Sequence, residues 1–379
     1  MQNEHQKQKK ILIATGLYPP DIGGPATYVK MLEKYLPMHG FKLSILPFGI
    51  VRPFPKGIRH IIYTWKLYRK SKNVDFIYAL DAVSVGVSAT LVSLFRRKPL
   101  FVRLGGDYAW EQGVQRFGLG KTLDEYISQQ EKAPWQVRLL AWVQLQVVRH
   151  AQKVIVPSKY LKGIVAAWGV DTNHIEVIYS VLSPLPKVIR KEGLLNTYTY
   201  ITPIICSAAR LTPWKGFDAL IESFVEIKKE YPQATLLIVG DGPQKRSLQE
   251  KAQKLGLESF VVFTGKVSKA KLAEYITMSD VFVLNTAYEG LSHQLLEVMN
   301  MEVPIITTDI GGNPELIEHR ISGMLVKYND VKMLTEYILK LLASDSAVKE
   351  MIKVAKKRTK DFNKDTATKQ LVEVFEQNI

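Results

Sequence analysis

The chain has 379 residues, 46% of them hydrophobic and 10% aromatic, enough to bury two ordinary domain cores and unlike a disordered segment. A single cysteine, Cys206, excludes an internal disulfide, and its place inside the apolar run 204–208 predicts a buried thiol that is not a nucleophile. The formal charge of +15 calls for an anionic partner, whether nucleic acid, lipid or a phosphorylated ligand, without naming one.

The opening MQNEHQKQKK is polar and runs straight into a strand, so no secretory signal is expected, and the longest apolar run, 82–95, is too short to span a bilayer. A cytoplasmic protein is the reading. A first strand over 10–16 leads into a loop, 17–25, with the pairs Pro19-Pro20 and Gly23-Gly24, and then into a helix through about Pro37. Paired glycines let backbone approach a ligand and a helix start offers N–H groups to a phosphate; a plain strand-to-helix turn is the other reading. The G-x-G-x-x-G dinucleotide fingerprint is absent.

From Arg52 to Lys72 there are seven Lys or Arg and no acid, with Ile58, Ile61, Ile62, Trp65 and Tyr68 on one helical face. Such a helix can lie on an anionic membrane, or it can be a surface helix covering its own core. Short apolar runs at 41–46, 75–80, 100–104, 154–157 and 175–179 alternate with helical patterns at 83–95, 135–150 and 158–168. That alternation predicts an α/β protein with parallel, doubly wound sheets, whose ligands gather beyond the carboxyl ends of the strands. One such end is RLGGDYAWE, 103–111, crowded with two glycines, acids and aromatics. The segment 113–134 has few apolar positions and predicts a mobile loop, and 183–203, with Pro184, Pro186 and Pro203, predicts an interdomain linker.

A fresh strand at 204–208 is followed by ARLTPWKGFDALIESF, where Arg210 and Lys215 flank a turn that opens a helix. Two cations at a strand end beside a helix N-terminus make a diphosphate clamp. Strands at 234–239 and 260–264 end in GDGP and in Gly265-Lys266-Val267. The stretch 280–297, DVFVLNTAYEGLSHQLLE, joins a buried-strand signal to a helix beginning near Ser292 through a turn that carries Glu289. Were the interval from Glu289 to Glu297 helical, its ends would stand roughly 12 Å apart. Paired carboxylates serving one glycosidic bond are only about 5 to 9.5 Å apart, so the span suits two ends of one long polar ligand better than a hydrolase pair. A strand at 304–308 leads to DIGGNPELI, and the last helices, 348–360 and 365–377, end on an apolar face that includes Leu371, Val372 and Phe375.

Glu289 and Glu297 with seven residues between them, RLTPWKG and the glycine loops GLYPPDIGG and DIGGNPELI together resemble the retaining glycosyltransferases of family 4. The resemblance implies the GT-B fold, two Rossmann-like doubly wound domains facing a cleft: an acceptor domain at 1–182, the linker 183–203, a donor domain at 204–360 and a terminal helix, 361–379, returning to the first domain. By position, Glu289 would hold hydroxyls of the donor sugar and Glu297 the ribose hydroxyls, while Arg210 and Lys215 grip the diphosphate. Gly290, Leu291, Ser292 and His293 at the helix start would bind the donor together with Gly23 and Gly24, with the backbone at Gly265 and Val267 near the base.

Two departures stand out. Many members have a His near the end of the 100–104 strand, and this chain has none between His60 and His150, which leaves Asp107 to orient or deprotonate the acceptor hydroxyl, Arg103 to pair with it, and Tyr108 and Trp110 to stack on a sugar. Where the family usually has Asn-Gly, Ser180 and Val181 stand. The implied reaction moves a hexose from a nucleotide-diphosphate sugar to an acceptor hydroxyl with retention and without metal or cofactor. The basic helix itself suggests a lipid-linked or saccharide acceptor, with Arg52–Lys72 a candidate contact for anionic lipid on the inner face of the cell membrane if it is not simply a surface helix. A sugar-nucleotide epimerase or phosphorylase of the same fold is the enzymatic alternative. A basic nucleic-acid or membrane-surface binder is the other; it leaves the Arg210, Lys215, Glu289 and Glu297 constellation without a purpose, and no nucleic-acid partner is expected.

Overall fold

Two parallel sheets organise the chain, each built around central strands whose residues are buried on both faces. The computed structural model describes residues 8–21, 23–182, 193–194, 200, 202–343 and 346–379. The chain divides into one unit comprising the residues up to Ser180 with Lys364–Ile379, and a second comprising Val181–Asn363. The linker expected at 183–203 lies almost wholly outside the described residues.

In the first unit the order is β1 (Lys9–Thr15), α1 (Gly24–Tyr35), β2 (Phe41–Pro47), α2 (Lys56–Lys70), β3 (Phe76–Ala79), α3 (Gly86–Arg96), β4 (Leu100–Arg103), α4 (Tyr108–Arg116), α5 (Leu123–Ser128), α6 (Trp135–His150), β5 (Lys153–Val156), α7 (Lys159–Ala167) and β6 (Ile175–Val177). The sheet runs β2-β1-β3-β4-β5-β6, all parallel, with Ile13 opposite both Ile45 and Tyr78. The chain steps left once, from β1 to β2, and rightward ever after. Right-handed crossovers therefore place α1 on one side of the sheet and α2, α3, α6 and α7 on the other.

The second unit continues with β7 (Ile204–Ala208), α8 (Phe217–Glu230), β8 (Thr235–Val239), α9 (Lys245–Lys254), β9 (Val261–Gly265), α10 (Lys269–Met278), β10 (Val281–Leu284), α11 (His293–Asn300), β11 (Ile305–Thr308), α12 (Asn313–Leu316), β12 (Met324–Val326), α13 (Val331–Ala343) and α14 (Ser346–Arg358). Its sheet runs β12-β11-β10-β7-β8-β9. The order reverses between β7 and β10, so the loops leaving these two strands flank the crevice where doubly wound sheets take ligands. Strand β12 was not predicted; three residues at a sheet edge leave too short a pattern to read. Cys206 is fully buried in β7, and burial pushes its thiol up to about 12.

The terminal helix α15 (Lys364–Gln377) belongs to the first unit. Its Phe375 is fully buried, with ring centroids 4.9 Å from Phe76, 4.9 Å from Phe101, 5.2 Å from Tyr78 and 6.1 Å from Phe41. Strands β2, β3 and β4 thus converge on one ring from the end of the chain. Phe375→Ala is expected to destabilise this unit by about 3–5 kcal/mol, read as a lowered midpoint in thermal unfolding by circular dichroism. An unchanged midpoint would remove α15 from the core.

The segment 113–134 is a correction. It is ordered by α5, whose start is a reciprocal capping box between Thr122 and Glu125, and by the buried side chains of Leu119, Leu123 and Tyr126. Its apolar residues are few but spaced to reach the core, which a composition count does not register.

Candidate donor site of the second unit

The loop after β7 carries both cations. Arg210 is exposed, and Lys215 ends a single 3-10 turn, Pro213–Lys215, just before Gly216. Gly216 has φ 52 and lies so close to Asn285 that a Cβ would come within 2.3 Å of the Asn285 amide nitrogen. Only glycine meets both demands. Asn285, buried directly after β10, donates to the Gly216 carbonyl at 2.8 Å and accepts from the Asn329 backbone N–H at 3.1 Å. The Trp214 carbonyl accepts from Ala287 N–H at 2.8 Å and from the Thr286 hydroxyl at 3.2 Å. These bonds fasten the loop after β7 to the loop after β10.

That second loop carries Glu289, which forms an ion pair with Lys215. Their side chains are 20% and 13% exposed, so the pair is partly shielded from water while the acid keeps a solvent-facing edge. The Glu289 carbonyl accepts from Gly312 N–H at 2.9 Å, and a Cβ at Gly311 would lie 2.2 Å from that same carbonyl oxygen. The DIGGNPELI glycines therefore serve close backbone packing beneath Glu289. Helix α11 starts beyond it, with the Ser292 hydroxyl accepting from Leu295 N–H at 3.3 Å and His293 at the first helical position, half-buried. Gly290 and Leu291 are buried in the turn before the cap.

Glu297 lies about one turn into α11 and pairs with Lys269 at 2.9 Å, its side chain 12% exposed against 43% for the lysine. Lys269 opens α10 behind the N-cap Ser268, directly after Gly265, Lys266 and Val267. Gly265 has φ 70, and its carbonyl accepts from Gly240 N–H at 3.1 Å. GDGP does more than turn the chain. Leu211 N–H donates to the Asp241 carbonyl at 3.0 Å, and a Cβ at Gly240 or Gly242 would lie 2.0 Å from the Ala209 carbonyl or 2.3 Å from the Leu211 carbonyl. The two glycines thus clasp the backbone on either side of Arg210.

In this unit, then, the structure brings Lys215 onto Glu289 and Lys269 onto Glu297 along one loop-and-helix segment. Sequence reasoning missed Asn285, Lys269 and the clasping role of Gly240 and Gly242. A polar residue closing an apolar strand run was the available signal for Asn285.

The first unit places its candidates less favourably. Gly23 caps α1 with φ 152, ahead of Gly24 and Pro25. Arg103 is buried at the end of β4, its guanidinium 4.1 Å from the centre of the Tyr28 ring, and donates to the Ile178 carbonyl at 3.4 Å and the Ser180 hydroxyl at 3.5 Å. Ser180, standing where the family usually has Asn, is thereby part of the Arg103 setting.

Asp107 is fully buried and caps α4: its Oδ1 accepts from Trp110 N–H at 2.9 Å and from the Gln144 amide at 3.1 Å, and burial pushes its carboxyl above the ordinary range. A cap in the core is a structural acid, which corrects the expectation that it meets a hydroxyl of a second substrate. Trp110 is likewise corrected. It is 1% exposed, and its indole N–H donates to the Lys121 carbonyl at 2.9 Å, so no sugar can stack on it. Tyr108, half-buried, remains accessible.

Two family models match in succession. Residues 22–182 match Glycosyltransferase Family 4 and residues 201–358 match Glycosyl transferases group 1. The chain belongs to the family 4 glycosyltransferases.

Relatives of family 4 are similar over different lengths. A GDP-mannose-dependent alpha-(1-6)-phosphatidylinositol monomannoside mannosyltransferase of Mycolicibacterium smegmatis is 34% identical over 37% of this chain and 39% of its own length. The match therefore spans about two-fifths of that relative. The Anabaena HepE structure with UDP and glucose covers 97% of this chain and 99% of that one, with a TM-score of 0.78 at 19% identity. Sucrose-phosphate synthase from Thermosynechococcus elongatus covers 97% and 98%, with a TM-score of 0.79 at 19% identity. Likeness at that identity shows the fold, and the fold of this family 4 chain is GT-B. Among the described residues no helix is long and apolar enough to cross a membrane, and no group of three or more His, Cys, Asp or Glu is placed to hold a metal ion.

Proposed function

We propose that the chain transfers a hexosyl group from a nucleotide-diphosphate sugar to an acceptor hydroxyl, with retention of anomeric configuration and without a metal ion. The observation that carries this reading is the Lys215–Glu289 pair. It sets a cation suited to a phosphate beside an acid suited to sugar hydroxyls, at the carboxyl ends of the two strands that flank the switch point of the sheet.

As the bond from the anomeric carbon to the phosphate oxygen breaks, its electron pair stays on the diphosphate. Arg210, Lys215 and the N–H groups opening α11 meet that growing charge and stabilise the transition state more than the ground state. The acceptor oxygen attacks the same face of the sugar, and its proton passes to the departing phosphate oxygen. Glu289 orients the sugar through its hydroxyls and Glu297 the ribose, with Gly265 and Val267 along the base and His293 beside the sugar or phosphate. Donor entry must exchange the Lys215–Glu289 contact for contacts to phosphate and sugar. In the first unit, Gly23 and Gly24 at the start of α1 offer backbone suited to a phosphate and Tyr108 stays accessible, while Arg103 is engaged with Tyr28 and Ser180 and Asp107, held as a cap, takes no part in proton transfer.

The acceptor is a lipid-linked or saccharide precursor of a cell-surface polysaccharide, and the enzyme works at the cytoplasmic face of the membrane. The relative that acts on a phosphatidylinositol mannoside and the basic segment 52–72 support this. A panel of UDP-, GDP- and ADP-sugars tested by thermal shift should contain one that raises the unfolding midpoint by mass action. With that donor, nucleotide release should require acceptor and persist in EDTA. Release or epimerisation with donor alone would favour an epimerase, and loss of turnover in EDTA that magnesium restores would overturn the metal-free step.

A further inference from the structure

Of the sixteen large apolar side chains exposed among the described residues, ten lie on α2, α3 and α6. These helices adjoin on one side of the first sheet, with α3 packed between the other two. The Thr64 hydroxyl donates to the Ser88 hydroxyl at 2.9 Å across α2 and α3, and Ser93 lies 3.2 Å from His150 Nε2 across α3 and α6. The exposed residues form stripes at helical spacing. On α2 they are Ile58, Ile61, Trp65 and Tyr68; on α3, Leu91, Leu94 and Phe95; on α6, Trp135, Leu139 and Trp142. Phe95 is 79% exposed, and Ile61 and Trp135 are each 69% exposed. Each stripe faces away from its own core: the buried residues of the same helices, such as Tyr63, Leu67, Val92 and Val148, face the sheet. Scattered apolar residues on a surface need no explanation, but exposed stripes this rich in aromatics on three adjoining helices do.

Charge decides what covers it. None of the three helices contains an Asp or Glu, although the chain has 36 of them. The cations are Lys56, Arg59, Lys66, Arg69 and Lys70 on α2, Arg96 on α3, and Arg138 and Arg149 on α6. Some are interleaved with the rings: the Arg96 guanidinium lies 3.7 Å from the centre of Tyr68, and that of Arg69 lies 4.9 Å from Trp65. A second copy of the same surface would set cation against cation, which disfavours a two-fold dimer. Nucleic acid would satisfy the cations and leave Ile61, Leu94 and Leu139 unaccounted for. An anionic bilayer satisfies both sets, with acyl chains receiving the apolar stripe, Trp and Tyr at headgroup level, and Lys and Arg reaching the phosphates.

We propose that α2, α3 and α6 together form a platform that seats this protein on an anionic membrane, with Trp65, Phe95 and Trp142 entering the headgroup boundary. This extends the reading of Arg52–Lys72 from one helix to three and places the most exposed insertion residue, Phe95, outside that segment. It is independent of the transfer reaction.

The test uses the full chain with phosphatidylcholine vesicles lacking or containing phosphatidylglycerol. Flotation should show binding to the anionic vesicles that weakens as salt rises, with a blue shift of tryptophan emission from Trp65, Trp135 and Trp142. The triple variant Trp65→Gln, Phe95→Gln, Trp142→Gln should keep the wild-type unfolding midpoint, since all three side chains are exposed, and partition at least about tenfold more weakly. Arg69→Gln with Lys70→Gln should lower binding to anionic vesicles alone. Wild-type protein that ignores both vesicles, or a triple variant that binds like wild type, would overturn the platform. So would a wild-type dimer that the triple variant converts to monomer, since a second copy would then be the occupant. Donor-induced thermal shift, measured without vesicles, should be equal in wild type and triple variant, so failure of the platform and failure of the donor site give different results.

Discussion

Lys215→Ala is expected to lower kcat by about 100-fold or more, and Arg210→Ala to do so by a comparable factor, by analogy with removal of one preorganised donor facing a developing negative charge. The loss should fall on kcat more than on KM, because the diphosphate carries more charge as it departs than when it is still esterified to the sugar. Lys215 should show the larger effect. Its side chain is 13% exposed, so less water is at hand to replace the ammonium, whereas Arg210 is exposed in the structure. Lys215 also pairs with Glu289, so its removal has a second route to damage through a freed carboxylate. Glu289→Gln separates the two: if Lys215 acted only by holding Glu289, adding Lys215→Ala to Glu289→Gln would cost nothing further. A further large drop in kcat places the ammonium on the phosphate. Full activity in either single alanine variant would refute the diphosphate clamp.

Much of the second unit was legible because its signals are local. The runs at 204–208 and 281–284 became β7 and β10 residue for residue, since strands buried on both faces leave no polar interruption to blur their ends. RLTPWKG put both cations in one loop for the same reason. What the sequence hid was the second contact of each glycine. Gly240, Gly242, Gly311 and Gly312 each press against a carbonyl far away in the chain, and a turn read in isolation carries no trace of its neighbour. The first unit was harder. Asp107 and Trp110 sit at a strand end, where function gathers, yet α4 and α6 close over both. The stripe on α2 was visible as a helical face, but its continuation onto α3 and α6 required the crossovers that lay the helices side by side.

Gly311→Ala is expected to reduce kcat/KM by about 100-fold while leaving the fold intact. The added Cβ would lie 2.2 Å from the Glu289 carbonyl oxygen, where real contacts stay beyond 3.0 Å. The backbone at Glu289 must therefore retreat by roughly 1 Å, a displacement that can cost a factor of about 100 when it misplaces a positioning group. The Gly312 bond to the same carbonyl, 2.9 Å, would be strained with it. Gly311 also has φ 66, so alanine adds backbone strain of about 1–2 kcal/mol, and that alone could lower stability. Gly256→Ala isolates this contribution. Gly256 has φ 69 but nothing within 4 Å of a built Cβ, so it should lose comparable stability and keep its activity. If both variants lose stability equally and both stay fully active, the paired glycines merely turn the chain. If only Gly311→Ala loses turnover, and its donor-induced thermal shift falls as well, the glycine at 311 is required because the backbone of Glu289 must come that close.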